Sequence, residues 1–432
     1  MADLSWRFIL LLFFPALAAA TTVPLGPATL CEYTEACHPS VVVLVERLGE
    51  RTLWRTRRRE DDAAVCALAF NGVVIMRRPA AAAADAAAAL RRVHRSLRIF
   101  RTNRSVVVPA IPAFAPGPPR WRVRGHQIAM SNHPYQFRTA KELADFFTDL
   151  NILSGTNAIE IAHVPGPTLS NATSDALVEI SDMLAARNMS MSIWWSSAFV
   201  HGNMAALARL FPRMLRLDSL FFPGGDGGEL SWASISAAAS ALRRAGHPGS
   251  SVWVSAQEVD ASALAQFVAQ ITSNATVRAA LGPGGGAVYG PHNRVPLLDF
   301  VEMLSAPISL ASSSAVSVRQ YPDLAHSLNT QFPILGWDAP WAMAYGRQVV
   351  NPRPAFYASV VRARSNGSSP TVGVGAYSEG LNDDLNKVIF SRMGEDSNVT
   401  MTQAVREYAR YFFGAEAEKD ATDGLLGLEM NW

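Results

Sequence analysis

The chain has 432 residues, 49% of them hydrophobic and 17% charged, with Lys+Arg 38 against Asp+Glu 36. So even a charge balance, with no basic block interleaved with aromatics, excludes a nucleic-acid-binding protein, and so apolar a composition excludes a disordered tail. The length suits a barrel with an appendage better than one small domain.

Phe8 to Ala18 is an apolar run preceded by Arg7, with the small residues Ala18-Ala19-Ala20 at its end. This is the layout of a cleavable secretory signal over residues 1–20. The run is shorter than the roughly 20 apolar residues that a membrane-spanning helix needs, and no second long apolar segment follows, so no stable membrane insertion is expected. Six N-x-S/T sequons come after it, at Asn103, Asn171, Asn188, Asn274, Asn366 and Asn398, which fits a glycoprotein that is secreted or held in a lysosome-like lumen. In that oxidising setting Cys31 and Cys37 are spaced to close a small disulfide loop, leaving Cys66 as a buried thiol.

Residues 38–106 read as a small α/β module. It comprises a strand at Ser40–Val45, a solvated basic loop with Arg55, Arg57, Arg58 and Arg59, a strand at Val65–Met76 and an alanine-rich helix from Ala80 to Leu97. Residues 107–120 are proline-rich and read as a linker, because proline removes a backbone donor and drives its predecessor out of helix.

From Trp121 strand and helix patterns alternate to about residue 395. Strands are expected at His126–Met130, Ala158–Ala162, Ser190–Trp195, Ser219–Phe222, Val252–Ser255, Ala287–Tyr289, Val316–Tyr321 and Val372–Tyr377. Between them helices are expected from the Thr139–Glu142 capping box to Gly155, near Asp175–Arg187, over 204–216, from the Ser231 cap to Gly246, over Ala261–Thr272 and over Leu297–Leu304. The glycine run 282–286 reads as a flexible connection. Eight such units over some 260 residues are the arithmetic of a (β/α)₈ TIM-type barrel. An open doubly wound sheet is the runner-up, and it lacks its early G-x-G-x-x-G turn. Residues 396–432 read as a helical C-terminal segment.

In a barrel of this kind chemistry sits at the C-terminal ends of the strands. Glycoside hydrolysis needs two carboxyl groups there, one as proton donor and one as base or nucleophile. Asp226, in the run Gly224-Gly225-Asp226-Gly227-Gly228 after the fourth strand, is the leading acid, with a plain turn aspartate as the bland alternative. Glu379, just after the eighth strand, is the second, with an ion-paired structural carboxylate as its alternative. Glu160 alternates with Ile159 and Ile161, so it points into the barrel, where acids often form structural ion pairs. Trp195, Tyr289 and Tyr377 offer faces for stacking on sugar rings. His292, Arg294, His326, Asn382 and Asp383 are polar candidates for binding a carbohydrate, and Arg319 and Arg347 are further candidates for forking onto a carboxylate. No zinc-protease or serine-hydrolase motif is present, so neither metal nor cofactor is expected.

The entry Arg122-Val123-Arg124-Gly125-His126-Gln127 resembles the start of the barrel in α-glucuronidases and β-N-acetylhexosaminidases. Three blocks resemble a family of hydrolase-like proteins over residues 121–432. They are Thr156–Glu160, Tyr321–Leu328 together with Gly346–Pro354, and Tyr377–Lys387, the last with Glu379, Asn382, Asp383 and Lys387 clustered. The resemblance implies a glycoside-hydrolase-like barrel and a helical C-terminal region. It departs from β-N-acetylhexosaminidases after the fourth strand, where a lone Asp226 replaces an adjacent Asp-Glu pair. The expected activity is a secreted glycosidase acting on a uronic-acid or amino-sugar linkage. The alternative is a non-catalytic carbohydrate-binding barrel.

Overall fold

A computed structural model of the chain describes six strand segments between residues 21 and 108, and then residues 120–129, 140–162, 167–225, 228–257, 261–290, 316–325, 352–365, 371–378, 383–414 and 416–430. The six early segments make two sheets. β1 (Thr21–Pro24) pairs antiparallel with β6 (Ser105–Val108). β2 (Leu30–Thr34), β3 (Arg55–Arg59), β4 (Val65–Phe70) and β5 (Val73–Pro79) form a four-stranded sheet in the order β3-β2-β4-β5.

Two expectations are corrected here. The basic loop is a strand, β3, whose parallel register on β2 sets Arg57 across from Glu32. The single strand expected over Val65–Met76 is the antiparallel pair β4–β5, flanking Asn71-Gly72, the dipeptide that most favours a two-residue hairpin turn. The strand expected at Ser40–Val45 and the alanine-rich helix lie outside the described residues, as do residues 109–119 of the proline-rich linker, whose first two residues, Val107 and Val108, belong to β6.

The main body is a closed barrel. β7 (Val123–Ala129), β8 (Ala158–Ala162), β9 (Ser190–Trp194), β10 (Ser219–Phe222), β11 (Ser251–Ser255), β12 (Gly286–Tyr289) and β13 (Ser317–Gln320) pair in sequence, each parallel to the next. β14 (Asp323–Ala325) is a short extra strand on β15 (Thr371–Ser378). β15 pairs with both β13 and β7, and so closes the ring of eight. An open sheet would leave β7 and β13 as edges; here neither is one.

Alternation sorts the strand residues into two layers. Ile128, Ile159, Ile161, Met191, Ile193, Leu220, Phe222, Val252, Val254, Ala287 and Val318 face outward into one large core beneath the helices. Burying each of these side chains other than Ala287 contributes about 1.5–3 kcal/mol. The helices that cover them are α1 (Ala140–Ser154), α2 (Asn171–Ala186), α3 (Ser197–Leu210), α4 (Trp232–Arg244), α5 (Ala261–Ser273) and α6 (Ala275–Leu281), while α7 (Pro354–Ser365) and α8 (Asp384–Glu395) pack with Val374 and Ala376 of β15 in a second core.

Serines start several of them. Ser170, Ser196 and Ser231 each accept a backbone N–H three residues on, at Thr173, Phe199 and Ser234. The Ser196 cap corrects the expected start of the third helix, which opens at Ser197 rather than at 204 and ends at Leu210, followed by a single 3₁₀ turn over Phe211–Arg213. The glycine run is a tight turn rather than a loose connection. A Cβ on Gly286 would lie 2.0 Å from the Ser317 carbonyl oxygen, so only glycine lets β12 approach β13 there. The helix expected over Leu297–Leu304 lies outside the described residues.

Two further helices, α9 (Met401–Phe413) and α10 (Glu418–Glu429), pack back on the barrel. Tyr411 donates to Asp149 of α1 at 2.6 Å, and Arg406 and Arg410 both donate to Glu418 at 2.8 and 2.6 Å.

Candidate active site

The inner layer is built around one ion pair. Arg319 of β13 donates through Nη2 to Glu160 Oε2 of β8 at 2.5 Å, with both side chains almost fully buried. Gln127 of β7 donates to Glu160 Oε1 at 2.8 Å, and Ser192 of β9 donates to Oε2 at 3.3 Å. Tyr321 in turn donates its phenol to Gln127 Oε1 at 2.7 Å. The guanidinium carbon lies 5.4 Å from the centre of Phe221 and 5.2 Å from that of Trp253, so aromatic faces complete its surroundings. A Cβ on Gly375 would meet three guanidinium atoms at 3.2–3.4 Å; the bare backbone of β15 gives Arg319 its room.

Beside this polar group in the barrel interior lies an aromatic one. Phe221, Trp253, Val288, Tyr321 and Tyr377 form a buried cluster with Trp194 packed against it. Tyr321 sits 6.0 Å from Phe221 and 5.7 Å from Tyr377, centre to centre.

Both connections that carry the candidate acids have anchored flanks. After β10, Gly224 donates its N–H to Ser255 Oγ at 3.2 Å. A Cβ on Gly225, which has φ +71°, would lie 1.9 Å from the Gln257 carbonyl oxygen. The N–H of Gly228 donates to the Gly225 carbonyl at 2.9 Å, tying together the two ends of the Asp226-Gly227 pair. After β15, the Ser378 hydroxyl donates to Asp383 Oδ2 in a short hydrogen bond, and Lys387 Nζ donates to Oδ1 at 2.7 Å. Asp383 and Lys387 are both buried. Because β10 and β15 belong to one parallel barrel, both flanks lie at its C-terminal end.

Of the residues singled out from sequence, Glu160 and Tyr377 face the interior, and Asp383 holds the flank of the β15 connection. Trp195 and Tyr289 do not join them. Trp195 is buried in the helix-facing core, where it stacks on Phe199 with ring centres 5.5 Å apart, and Tyr289 packs against that same core. Their neighbours at odd phase, Trp194 and Val288, take the inward positions. Asp226, Glu379, His292, Arg294, His326 and Asn382 lie outside the described residues. So do Asn103, Asn366 and Cys37; Cys31 is on β2. Asn171, Asn274 and Asn398 are exposed and Asn188 is half-buried. Gln127 and Ser192 were not singled out, although their two-residue spacing from Gly125 and Trp194 along the strands marks them as inward.

Behind β7 a second buried polar group faces outward, toward α8. His126 Nε2 lies 2.9 Å from Ser391 Oγ, which also accepts from Thr156 Oγ1 at 2.9 Å. Burial, with the nearby Lys387 charge adding to it, holds the His126 pKa well below its ordinary value, so the ring is neutral. Burial also raises the carboxyl of Asp384, against the opposing hydrogen bond from the Tyr408 phenol at 2.7 Å. Among the described residues no group of His, Cys, Asp or Glu is placed to hold a metal, and no helix is long and apolar enough to cross a membrane.

Known structures share this architecture. CpGH84B superposes with a TM-score of 0.51 at 7% identity, covering 95% of this chain and 75% of its own. CpGH84D gives 0.50 at 9% identity, covering 92% and 71%. A family 89 glycoside hydrolase from Clostridium perfringens, in complex with 2-acetamido-1,2-dideoxynojirmycin, superposes with a TM-score of 0.46 at 9% identity over 79% of this chain. The chain spans 46% of that protein's length. At such identities the likeness is one of fold. No known family model and no curated protein matches the sequence.

Proposed function

We propose that the protein is a glycosidase that cleaves an amino-sugar or uronic-acid linkage, with Asp226 as general acid and Glu379 as base or nucleophile. The observation that carries the reading is the anchoring of both flanks at one end of a closed barrel. Gly224, Gly225 and Gly228 hold the connection after β10, and Ser378 and Asp383 hold the connection after β15. Two acids are the minimum that glycoside hydrolysis requires, and a carboxyl separation of roughly 5–5.5 Å or 6.5–9.5 Å would set retention or inversion. Trp194, half-buried beside the aromatic cluster of the interior, supplies a flat apolar face suited to a sugar ring.

The test is hydrolysis of nitrophenyl glycosides of N-acetylhexosamines and uronic acids. Asp226→Asn and Glu379→Gln should each lower kcat by about 10²–10⁴-fold while sugar binding persists. Full rate in Asp226→Asn overturns the assignment. One observation favours a second reading, a barrel that binds glycans without cleaving them. Among the described residues, Glu160 is the one carboxylate of the inner layer, and Arg319 already occupies it. Binding with no release from any glycoside in the panel would select that reading.

We also propose that the chain enters a secretory lumen. The signal-like residues 1–20 and the exposed sequons at Asn171, Asn274 and Asn398 support this. Protein secreted from eukaryotic cells should lose mass on enzymatic deglycosylation, and an unchanged mass would count against it.

A further inference from the structure

The reading above uses Asp383 as an anchor of the connection after β15, and its geometry is unusual for a helix start. Asp383 is the N-cap of α8, where an aspartate ordinarily accepts a backbone N–H from the first turn. Its side chain makes no such bond. One carboxylate oxygen instead accepts from the Ser378 hydroxyl, the other from Lys387 Nζ. The first of these partners is the last residue of β15 and the second lies one turn into α8. The carboxylate therefore bridges the two ends of the connection 379–382, the segment that carries Glu379, Gly380, Leu381 and Asn382.

All three partners are buried, with Asp383 4%, Ser378 1% and Lys387 1% exposed. Water is kept from competing for these bonds, and the pair is screened far less than a surface pair would be. The backbone reinforces the arrangement. The Asp383 carbonyl accepts from the N–H of Asn386 and of Lys387, and the Tyr377 N–H donates to the Pro322 carbonyl at 2.8 Å. Both flanks of the connection are thus fixed to different parts of the frame, the strand to β14 and its approach, the helix to its own first turn. What joins one flank to the other in this set is the Asp383 carboxylate.

We propose that Ser378, Asp383 and Lys387 form a positioning clamp that fixes the span of the β15–α8 connection and thereby the station of Glu379. The proposal rests on the assignment of Glu379 above. Asp383 acts by accepting from both sides at once. Lys387 compensates its charge and orients it. Ser378 is the strand-side post.

The experiment is amide hydrogen exchange on the full chain, read for the peptides that cover 371–390, alongside steady-state hydrolysis. Asp383→Asn weakens both bridging bonds, and Ser378→Ala removes one of them without unpairing Lys387, so it remains informative if the first variant folds poorly. Ser378→Thr restores a hydroxyl. Exchange in the connection should rise at least tenfold in Ser378→Ala while peptides of β8 and β11 stay unchanged, kcat should fall about tenfold with KM altered less than twofold, and Ser378→Thr should recover both. Unchanged exchange in Ser378→Ala overturns the clamp. Raised exchange with unaltered kcat supports the clamp and instead removes Glu379 from the chemistry, so the two failures are distinct.

Discussion

Two buried ion pairs among the described residues of the barrel solve the same problem by opposite means. Glu160 and Arg319 come from strands 159 residues apart and meet only because the ring closes. Asp383 and Lys387 are one helical turn apart and would face each other in an isolated helix. The long-range pair is enclosed by side chains that leave Arg319 little else to bond. Its Nε has no hydrogen-bond partner among the described residues, and its flanks are the rings of Phe221 and Trp253. The local pair has help on one side, since Asp383 also accepts from Ser378 and sits at the positive end of α8. A buried charge that loses its partner is the more destabilising the less remains to compensate it.

That difference can be broken apart by substitution. Glu160→Leu strands the Arg319 cation and should have the largest effect, about 3–5 kcal/mol of stability in urea unfolding. The double variant Glu160→Leu/Arg319→Leu should recover most of that loss. A double variant as unstable as the single one would show that the pair is needed for packing rather than for charge. Lys387→Met should be milder, about 1–3 kcal/mol, because the Ser378 hydroxyl and the helix terminus remain with Asp383. Equal losses in the two single variants would erase the contrast.

The smallest effect is in pH dependence. His126 faces Lys387 and Ser391, and its pKa is depressed in the folded chain, so the unfolded chain takes up a proton first. Stability from this group is full above its unfolded value of about 6.5 and is lost as pH falls toward the folded value. Between pH 7.5 and 5.5 the wild type should lose more stability than His126→Gln, by an amount on the order of 1 kcal/mol. A parallel decline in the two proteins would mean that Lys387 and burial do not hold the ring neutral.

Much of the frame was legible in the chain. Each of the eight barrel strands begins or ends within a few residues of its expected place because β-branched and aromatic runs alternate with capped helices. Ser231 caps α4 as its position implied. The inward aim of Glu160 followed from its alternation with Ile159 and Ile161. What failed was phase. In Trp194-Trp195 both residues look equally suited to a sugar face, and only the pairing of β9 with β8 and β10 fixes which one turns inward. The start of α3 was missed for a related reason, because the Trp-Trp pair reads as a continuing strand and hides the Ser196 cap. The partner of Glu160 was beyond reach, since no local pattern links residues on β8 and β13. The Asn71-Gly72 signal was available and was overlooked.

Gly224 and Gly225 carry a consequence for how this molecule can vary. A Cβ on Gly224 would lie 2.4 Å from the Ser255 carbonyl oxygen, so main chain rests directly on main chain at this sector of the rim. The aperture there is therefore gauged by peptide groups, which no substitution elsewhere can swap for a bulkier or slimmer side chain. Residues beyond the seam are free to diverge in size and charge, and a graft of a longer segment between positions 225 and 228 would inherit a mount of unchanged dimensions.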